Sequence, residues 1–246
     1  MVMPADIDKM RAAGKHAART LHLAGSMLKP GMTTADIDRI VHNDTVSRGG
    51  IPATLNYRGF PASCCTSVNE VVCHGIPGPL VLKDGDIVNI DVTTVLDGHY
   101  GDTNATFFVG TVDPELERLV MSTSQAMWAG IHAVKPGAML GEVGAAIQKY
   151  VEAKGYSVVR EFGGHGIGRQ FHLPPHVNHF GVGTEGPRLV PGMFFTVEPM
   201  VTLGSPDIYM EDDGWTVRTV DNLACAQFEH TILVTEDGYE VMTELT

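Results

Sequence analysis

Hydrophobic residues recur along this chain with two alternating periods. Ile7, Met10, Ala17, Leu21, Ala24 and Leu28 approximate the apolar stripe of one amphipathic helix across the first 28 residues, which Lys29-Pro30-Gly31 ends. Thr33 or Thr34 caps a second helix, ADIDRIVHNDTVSRG, whose close is marked by Gly49-Gly50. From about Thr54 to Val109 the period drops to two, as in strands. DPELERLVMSTSQAMWAGIHAV predicts a third long helix with Pro114 near its first turn. A fourth helix follows Lys135-Pro136-Gly137, and strands return after Gly155 and run nearly to the C-terminus.

Helix, helix, strands occurs twice, and local matches point to a duplication. Lys29-Pro30-Gly31 recurs as Lys135-Pro136-Gly137, an offset of 106, with Asp36 and Ile37 falling on Glu142 and Val143 and Gly49 on Gly155. KDGDIVNID, ending at Asp91, aligns at an offset of 107 with VPGMFFTVE, ending at Glu198, so that Gly85 meets Gly192 and Asp91 meets Glu198. His74-Gly75-Ile76 recurs as His165-Gly166-Ile167. Any one match is within chance. Three in the same order predict a single domain over 1–246, with pseudo-symmetric halves of roughly 1–110 and 111–246 and a site at their seam.

Composition narrows the class. With 246 residues, 43% of them hydrophobic, the chain can bury a large core. A net charge of −12 argues against nucleic acid as a main partner. No stretch reaches the roughly 18 unbroken apolar residues of a membrane helix, and MVMPADIDKMRAAGKHAA lacks a signal-peptide apolar region, so a cytoplasmic protein is expected. Four cysteines, Cys64, Cys65, Cys73 and Cys225, form neither a disulfide framework nor a CxxC zinc pattern.

Four of the strand-like stretches carry acids where a core belongs. In IVNIDVTTV, GDTNATFFV, FFTVEPMV and AQFEHTILV, alternate positions give the polar faces Asn89-Asp91-Thr93, Asp102-Asn104-Thr106, Thr196-Glu198 and Gln227-Glu229-Thr231. One such face alone is explained as well by a solvated sheet surface. Four, each flanked by apolar runs, point inward, and converging carboxylates out of water need a strong positive partner, which two divalent cations would supply. Asp97-Gly98 between two of the runs signals a two-residue hairpin turn, setting Thr93 opposite Asp102 and Asp91 opposite Asn104. Asp91 and Asp102 are then diagonal neighbours on one face.

His165 stands in FGGHGIGRQFH, where glycines remove bulk and allow close backbone approach. One imidazole with four carboxylates is a mostly hard ligand set, suited to Mn, Fe or Co rather than structural zinc. A rival trio, His172, His176 and His179 in FHLPPHVNHF, matches no standard zinc spacing, and Pro174-Pro175 exclude a helix presenting it. His230, next to Glu229, belongs to the opposite strand face.

NIDVT, GDTNATF, GGHGIG, TVEPMV and QFEHTI, in this order and spacing, resemble the bacterial type I methionine aminopeptidases over essentially the whole chain. The 33 positions from His165 to Glu198 leave no room for the insertion of the type II enzymes, and the chain is shorter than the related prolidases and creatinases. The resemblance implies the α/β (α+β) pita-bread fold, with antiparallel sheets covered by helices. It further implies removal of the initiator methionine from nascent polypeptides when the second residue is small. In the family's pattern Asp102 and Glu198 bridge or span two metals, Asp91 chelates one, His165 completes the other and Glu229 bridges. Glu198 shuttles the proton to the leaving amine. His74 and His172 bind the scissile peptide and stabilise the tetrahedral intermediate, and Phe60, Cys65, Phe171 and Trp215 form the methionine pocket. Three departures flank that cleft: Thr54 where Cys is common, Arg58 for His, and Leu173-Pro174 for an acidic pair. The metal stays open among Co, Mn and Fe. A monomer, acting near the ribosome without a recognisable docking extension, is the remaining expectation. Two other readings stay open, cleavage before proline and a non-catalytic binding protein of the same fold.

Overall fold

A computed structural model describes residues 4–245. The elements are α1 (Pro4–Ser26), α2 (Thr34–Ser47), β1 (Ile51–Pro52), β2 (Cys65–Val68), β3 (Val71–Cys73), β4 (Ile87–Leu96), β5 (His99–Phe108), α3 (Pro114–Ile131) and α4 (Gly141–Ala153). There follow β6 (Ser157–Val158), β7 (Gly164–Gly166), β8 (Leu173–Val177), β9 (Phe194–Val197) and β10 (Met200–Thr202). The last are β11 (Ile208–Met210), β12 (Val217–Thr219), β13 (Cys225–Gln227), β14 (His230–Val234) and β15 (Tyr239–Val241).

Two helix pairs each cover an antiparallel sheet. Ala17, Leu21, Ile37 and Val41 from α1 and α2 pack on Val88, Ile90 and Val92 of β4, which pairs with β1, β2 and β5. Leu119, Met127, Ile131, Ile147 and Val151 from α3 and α4 pack on Phe195, Val197, Ile232 and Val234 of the sheet ordered β15-β14-β9-β7-β8. The glycines matched by the repeat make the same turns: φ is 90° at Gly31 and 85° at Gly137, 81° at both Gly49 and Gly155, and 97° at Gly85 against 90° at Gly192. At these angles a side chain would be strained, so the recurrence follows from backbone need.

Thr33 is the cap of α2, in a reciprocal box with Asp36. The first helix stops at Ser26, because Met27 and Leu28 turn back onto the carbonyls of Ala24 and Gly25, and the opening Met1 to Met3 lie outside the described residues. The expected strand content from Thr54 begins late. Residues 54–62 form a loop, because Asn56 (φ 66°) and Arg58 (φ 50°) are left-handed and cannot join a ladder, while the Thr54 hydroxyl donates to the Ala62 carbonyl. Among the described residues no helix is long and apolar enough to cross a membrane.

Candidate active site

The β4–β5 hairpin turns at Asp97 (φ 48°) and Gly98 (φ 73°), and its register sets Thr93 opposite Asp102 and Asp91 opposite Asn104, as the Asp-Gly signal implied. Asp102 is 3% exposed, and Thr93 Oγ1 donates to its Oδ1 at 2.7 Å. Glu229, just before β14, is tied to β5. Its N–H donates to the Asn104 carbonyl at 3.0 Å, and Asn104 Nδ2 donates to its Oε2 at 2.8 Å. Glu198 follows β9. Thr196 Oγ1 donates to its Oε1 at 2.7 Å, Gln227 Nε2 to its Oε2 at 3.3 Å, and its own N–H donates to His179 Nε2 at 3.0 Å.

His165 sits on β7 between β8 and β9. A Cβ on Gly164 would lie 2.2 Å from the Thr196 carbonyl oxygen, and one on Gly166 2.2 Å from that of Pro174, so the flanking glycines let three backbones meet. The His165 N–H donates to Thr196 Oγ1, and Nδ1 lies 3.1 Å from the Gly166 carbonyl. Nε2 is thereby aimed at Asp102 Oδ2, 3.5 Å away, and Glu198 Oε1, 3.6 Å away.

This concentration of charge is electrostatically incomplete. Burial, then Asp102 and Glu198, push the Asp91 carboxyl well above the usual range; burial, then the other acids, do the same to Glu229. Burial also raises Glu198 against the pull of the His165 charge. Burial works against a charge on His165, but Asp102 and Glu198 outweigh it and raise the imidazole to about 9. Asp91 Oδ1 and Glu229 Oε1 are buried with no hydrogen-bond partner among the described residues. One donor atom each from Asp102, His165 and Glu229 lies within 4.8 Å of the others, so these side chains can close on a cation. Carboxylate oxygens and one imidazole, two oxygens lacking any partner, fit a hard or borderline divalent metal.

The acids open into a cavity of about 710 Å³ that also holds His74, His172, Phe60, Cys65, Phe171 and Trp215. His74, whose sequence counterpart is His165, meets Phe162 and Trp215 edge-on at 5.4 and 6.2 Å, and Trp215 meets Phe60 at 5.1 Å. Burial lowers the His74 imidazole. Burial and then the His165 charge lower His172 to about 4, so both rings are neutral near pH 7. Burial raises the Cys65 and Cys73 thiols well above their ordinary range, which keeps them protonated. The rival histidine trio does not assemble. His172 and His176 both line the cavity, His176 on β8 opposite His165, while His179 is fully buried behind Glu198. His230 turns to the other face, against Trp128 and the Thr243 hydroxyl.

The site also contains residues to which the sequence alone assigns no role. Thr93, Asn104, Thr196 and Gln227 lie on the polar strand faces already singled out, and that shared period was the available signal. Tyr57, whose hydroxyl is 2.9 Å from His172 Nδ1, and His179 carried no such signal.

Comparison with known proteins places the chain among metallopeptidases. The profile of "Metallopeptidase family M24" matches residues 8–236. The chain is 54% identical over 239 residues to "Methionine aminopeptidase" of Rickettsia prowazekii (strain Madrid E), covering 97% of this chain and 92% of the relative. It is 50% identical over 242 residues to "Methionine aminopeptidase" of Escherichia coli (strain K12), covering 98% and 92%. The crystal structure of the Rickettsia prowazekii methionine aminopeptidase superposes with a TM-score of 0.98 at 52% identity, over 99% of each chain. Prolidase from Pyrococcus furiosus, at 19% identity and a TM-score of 0.81 over 99% of this chain and 65% of that one, shares the fold alone.

Proposed function

This chain belongs to metallopeptidase family M24, and from that premise we propose that it is a metal-dependent methionyl aminopeptidase. It removes the initiator methionine from polypeptides whose second residue is small. The observation that carries the reading is the pair of buried, unpartnered oxygens, Asp91 Oδ1 and Glu229 Oε1, beside Asp102 and His165 at the floor of an aromatic cavity. The family uses divalent metal. Two ions drawn from Mn, Fe or Co, held by Asp91, Asp102, His165, Glu198 and Glu229, are our reading of the donor set. When bound, such ions polarise a carbonyl and acidify water.

The chain's own groups do the rest. Phe60, Cys65, Phe171 and Trp215 take the methionine side chain, a flexible thioether suited to a soft aromatic lining. Glu198 accepts a proton from the attacking water and delivers it to the leaving amine. Its place at the cavity, with Thr196 Oγ1 and Gln227 Nε2 holding the carboxylate in position, gives it the reach for both events. The Tyr57 hydroxyl lies 2.9 Å from His172 Nδ1, and in the tautomer where it donates there the neutral ring carries its proton on Nε2, free to donate to the scissile peptide. His74 supplies the second donor, and the two stabilise the oxyanion of the tetrahedral intermediate.

The duplicated halves, roughly 1–110 and 111–246, set the site between them. The paired left-handed glycines support this division. We place the reaction in the cytoplasm, on nascent chains at the ribosome, with the protein acting as a monomer without direct nucleic-acid contact. Four free cysteines and a net charge of −12 support that setting. Hydrolysis of Met-Ala-Ser against Ala-Pro-Ala by metal-loaded protein is the deciding measurement. Faster turnover of the proline peptide, or an Asp102→Ala variant with undiminished activity, would sink the reading.

A further inference from the structure

Two charged side chains at the cavity, Glu161 and Arg58, take no part in the reaction described above, and they differ in sign. Arg58 is the only Lys or Arg among the residues lining it. It takes part in none of the ion pairs found among the described residues, although the exposed Glu161 shares the cavity rim. Its guanidinium carbon stands 5.3 Å from the Tyr57 ring centroid, and Tyr57 in turn meets His172 at 5.3 Å between rings. The loop carries it there through left-handed backbone at Asn56 and Arg58 itself, a conformation that non-glycine residues adopt at a cost.

Substrate geometry gives that position a meaning. In an extended peptide successive side chains alternate in direction, and the third residue returns to the side of the first roughly 7 Å further on. Phe60, which packs on Trp215 in the cavity that takes the methionine, lies two positions from Arg58 on one loop. The side chain sharing the methionine's side is therefore the third, and it passes the same loop. The small second residue points away.

Resting on the aminopeptidase reading, we propose that Arg58 determines specificity by binding the side-chain carboxylate of the substrate's third residue, so that Asp or Glu is favoured there. An acidic peptide otherwise approaches the exposed Glu161 carboxylate at the cavity and a net charge of −12. Arg58 supplies the local opposite sign. A guanidinium stays charged across the working pH range, and its planar fork matches a carboxylate with little further loss of freedom when stacked on a ring.

The test compares kcat/KM of the metal-loaded enzyme for amidated Met-Ala-Asp-Gly, Met-Ala-Lys-Gly and Met-Ala-Ser-Gly at low salt. Amidation leaves the Asp side chain as the only carboxylate. For a solvent-exposed pair the expected Asp-over-Lys preference is about three- to five-fold, shrinking with added salt. Arg58→Gln brings the ratio to about one and Arg58→Glu inverts it. Because each ratio is taken within one protein, partial misfolding of a variant cancels. A native ratio of one or below, or a ratio unmoved by Arg58→Gln, overturns the proposal while leaving the aminopeptidase reading intact. Release of methionine from none of the peptides overturns both.

Discussion

Thr93 occupies one oxygen of Asp102, Asn104 one of Glu229, and Thr196 and Gln227 one each of Glu198. What these neutral donors leave open is Asp91 Oδ1, Glu229 Oε1 and the Asp102 oxygen facing His165. Thr196 links two of the site residues, donating to Glu198 while accepting from the His165 N–H. Thr196→Val keeps the shape and removes both bonds. Metal affinity or kcat/KM should fall by about 10- to 100-fold, read by calorimetry and turnover. Thr94→Val is the control, because the buried Thr94 hydroxyl has no partner in the described structure. Its metal affinity and kcat/KM should stay at the native level, and a loss as large as that of Thr196→Val would refute the distinction. The acids themselves were legible in the sequence because each breaks an apolar period, a property of a few neighbouring residues. Tyr57 and His179 were not, because their partners, His172 and Glu198, lie 115 and 19 positions away.

Helix α1 lies on β5 at a distance set by a glycine. A Cβ at Gly101 would stand 2.4 Å from the backbone of Ala13 and Gly14. Gly101→Ala must push α1 off the sheet, at the upper end of the roughly 1–3 kcal/mol typical of overpacking, and each kcal/mol lowers Tm by about 2–4 °C for a chain of this length. Unfolding within 1 °C of the native protein would show that the helix yields freely. The cap of α2 gives a pH signature. The Thr33 backbone N–H, then its hydroxyl and Arg39, hold the Asp36 carboxyl down from 3.8 to about 2. A lowered folded-state pKa means stabilisation fully present above the unfolded value and lost as pH falls through the folded one. The stability gap between native protein and Asp36→Asn should therefore be widest at neutral pH and close between about pH 4 and pH 2. A gap that grows on acidification would contradict the capping box. Caps, helix stripes and the Asp-Gly turn could be read from residue type. The loop at 54–62 could not, because nothing in Asn56 or Arg58 as residues demands a left-handed backbone.

Across the full chain, two sheets under separate helix pairs deliver acids to one cavity, and the described structure alone does not neutralise them. Folding and metal binding should accordingly be linked. Protein stripped by chelator should melt lower, and saturating Mn or Co at about 100 times Kd should restore roughly 2.7 kcal/mol, about 5–10 °C in Tm. Asp102→Ala should abolish the rise. A melting temperature indifferent to both chelator and metal would remove the electrostatic argument for a cation here.

The order of helices and strands, the repeated glycine turns, the hairpin register of Asp91 and Asp102, and the family resemblance could all be read from the residues, since period, turn chemistry and motif spacing are written in local residue order. Which carboxylate oxygens stay unpartnered, how Glu229 lies beside Asn104 from 125 positions away, and the stacking of the Arg58 guanidinium on the Tyr57 ring came from the folded chain alone. Those facts depend on contacts between distant segments and on burial, and no local pattern encodes either.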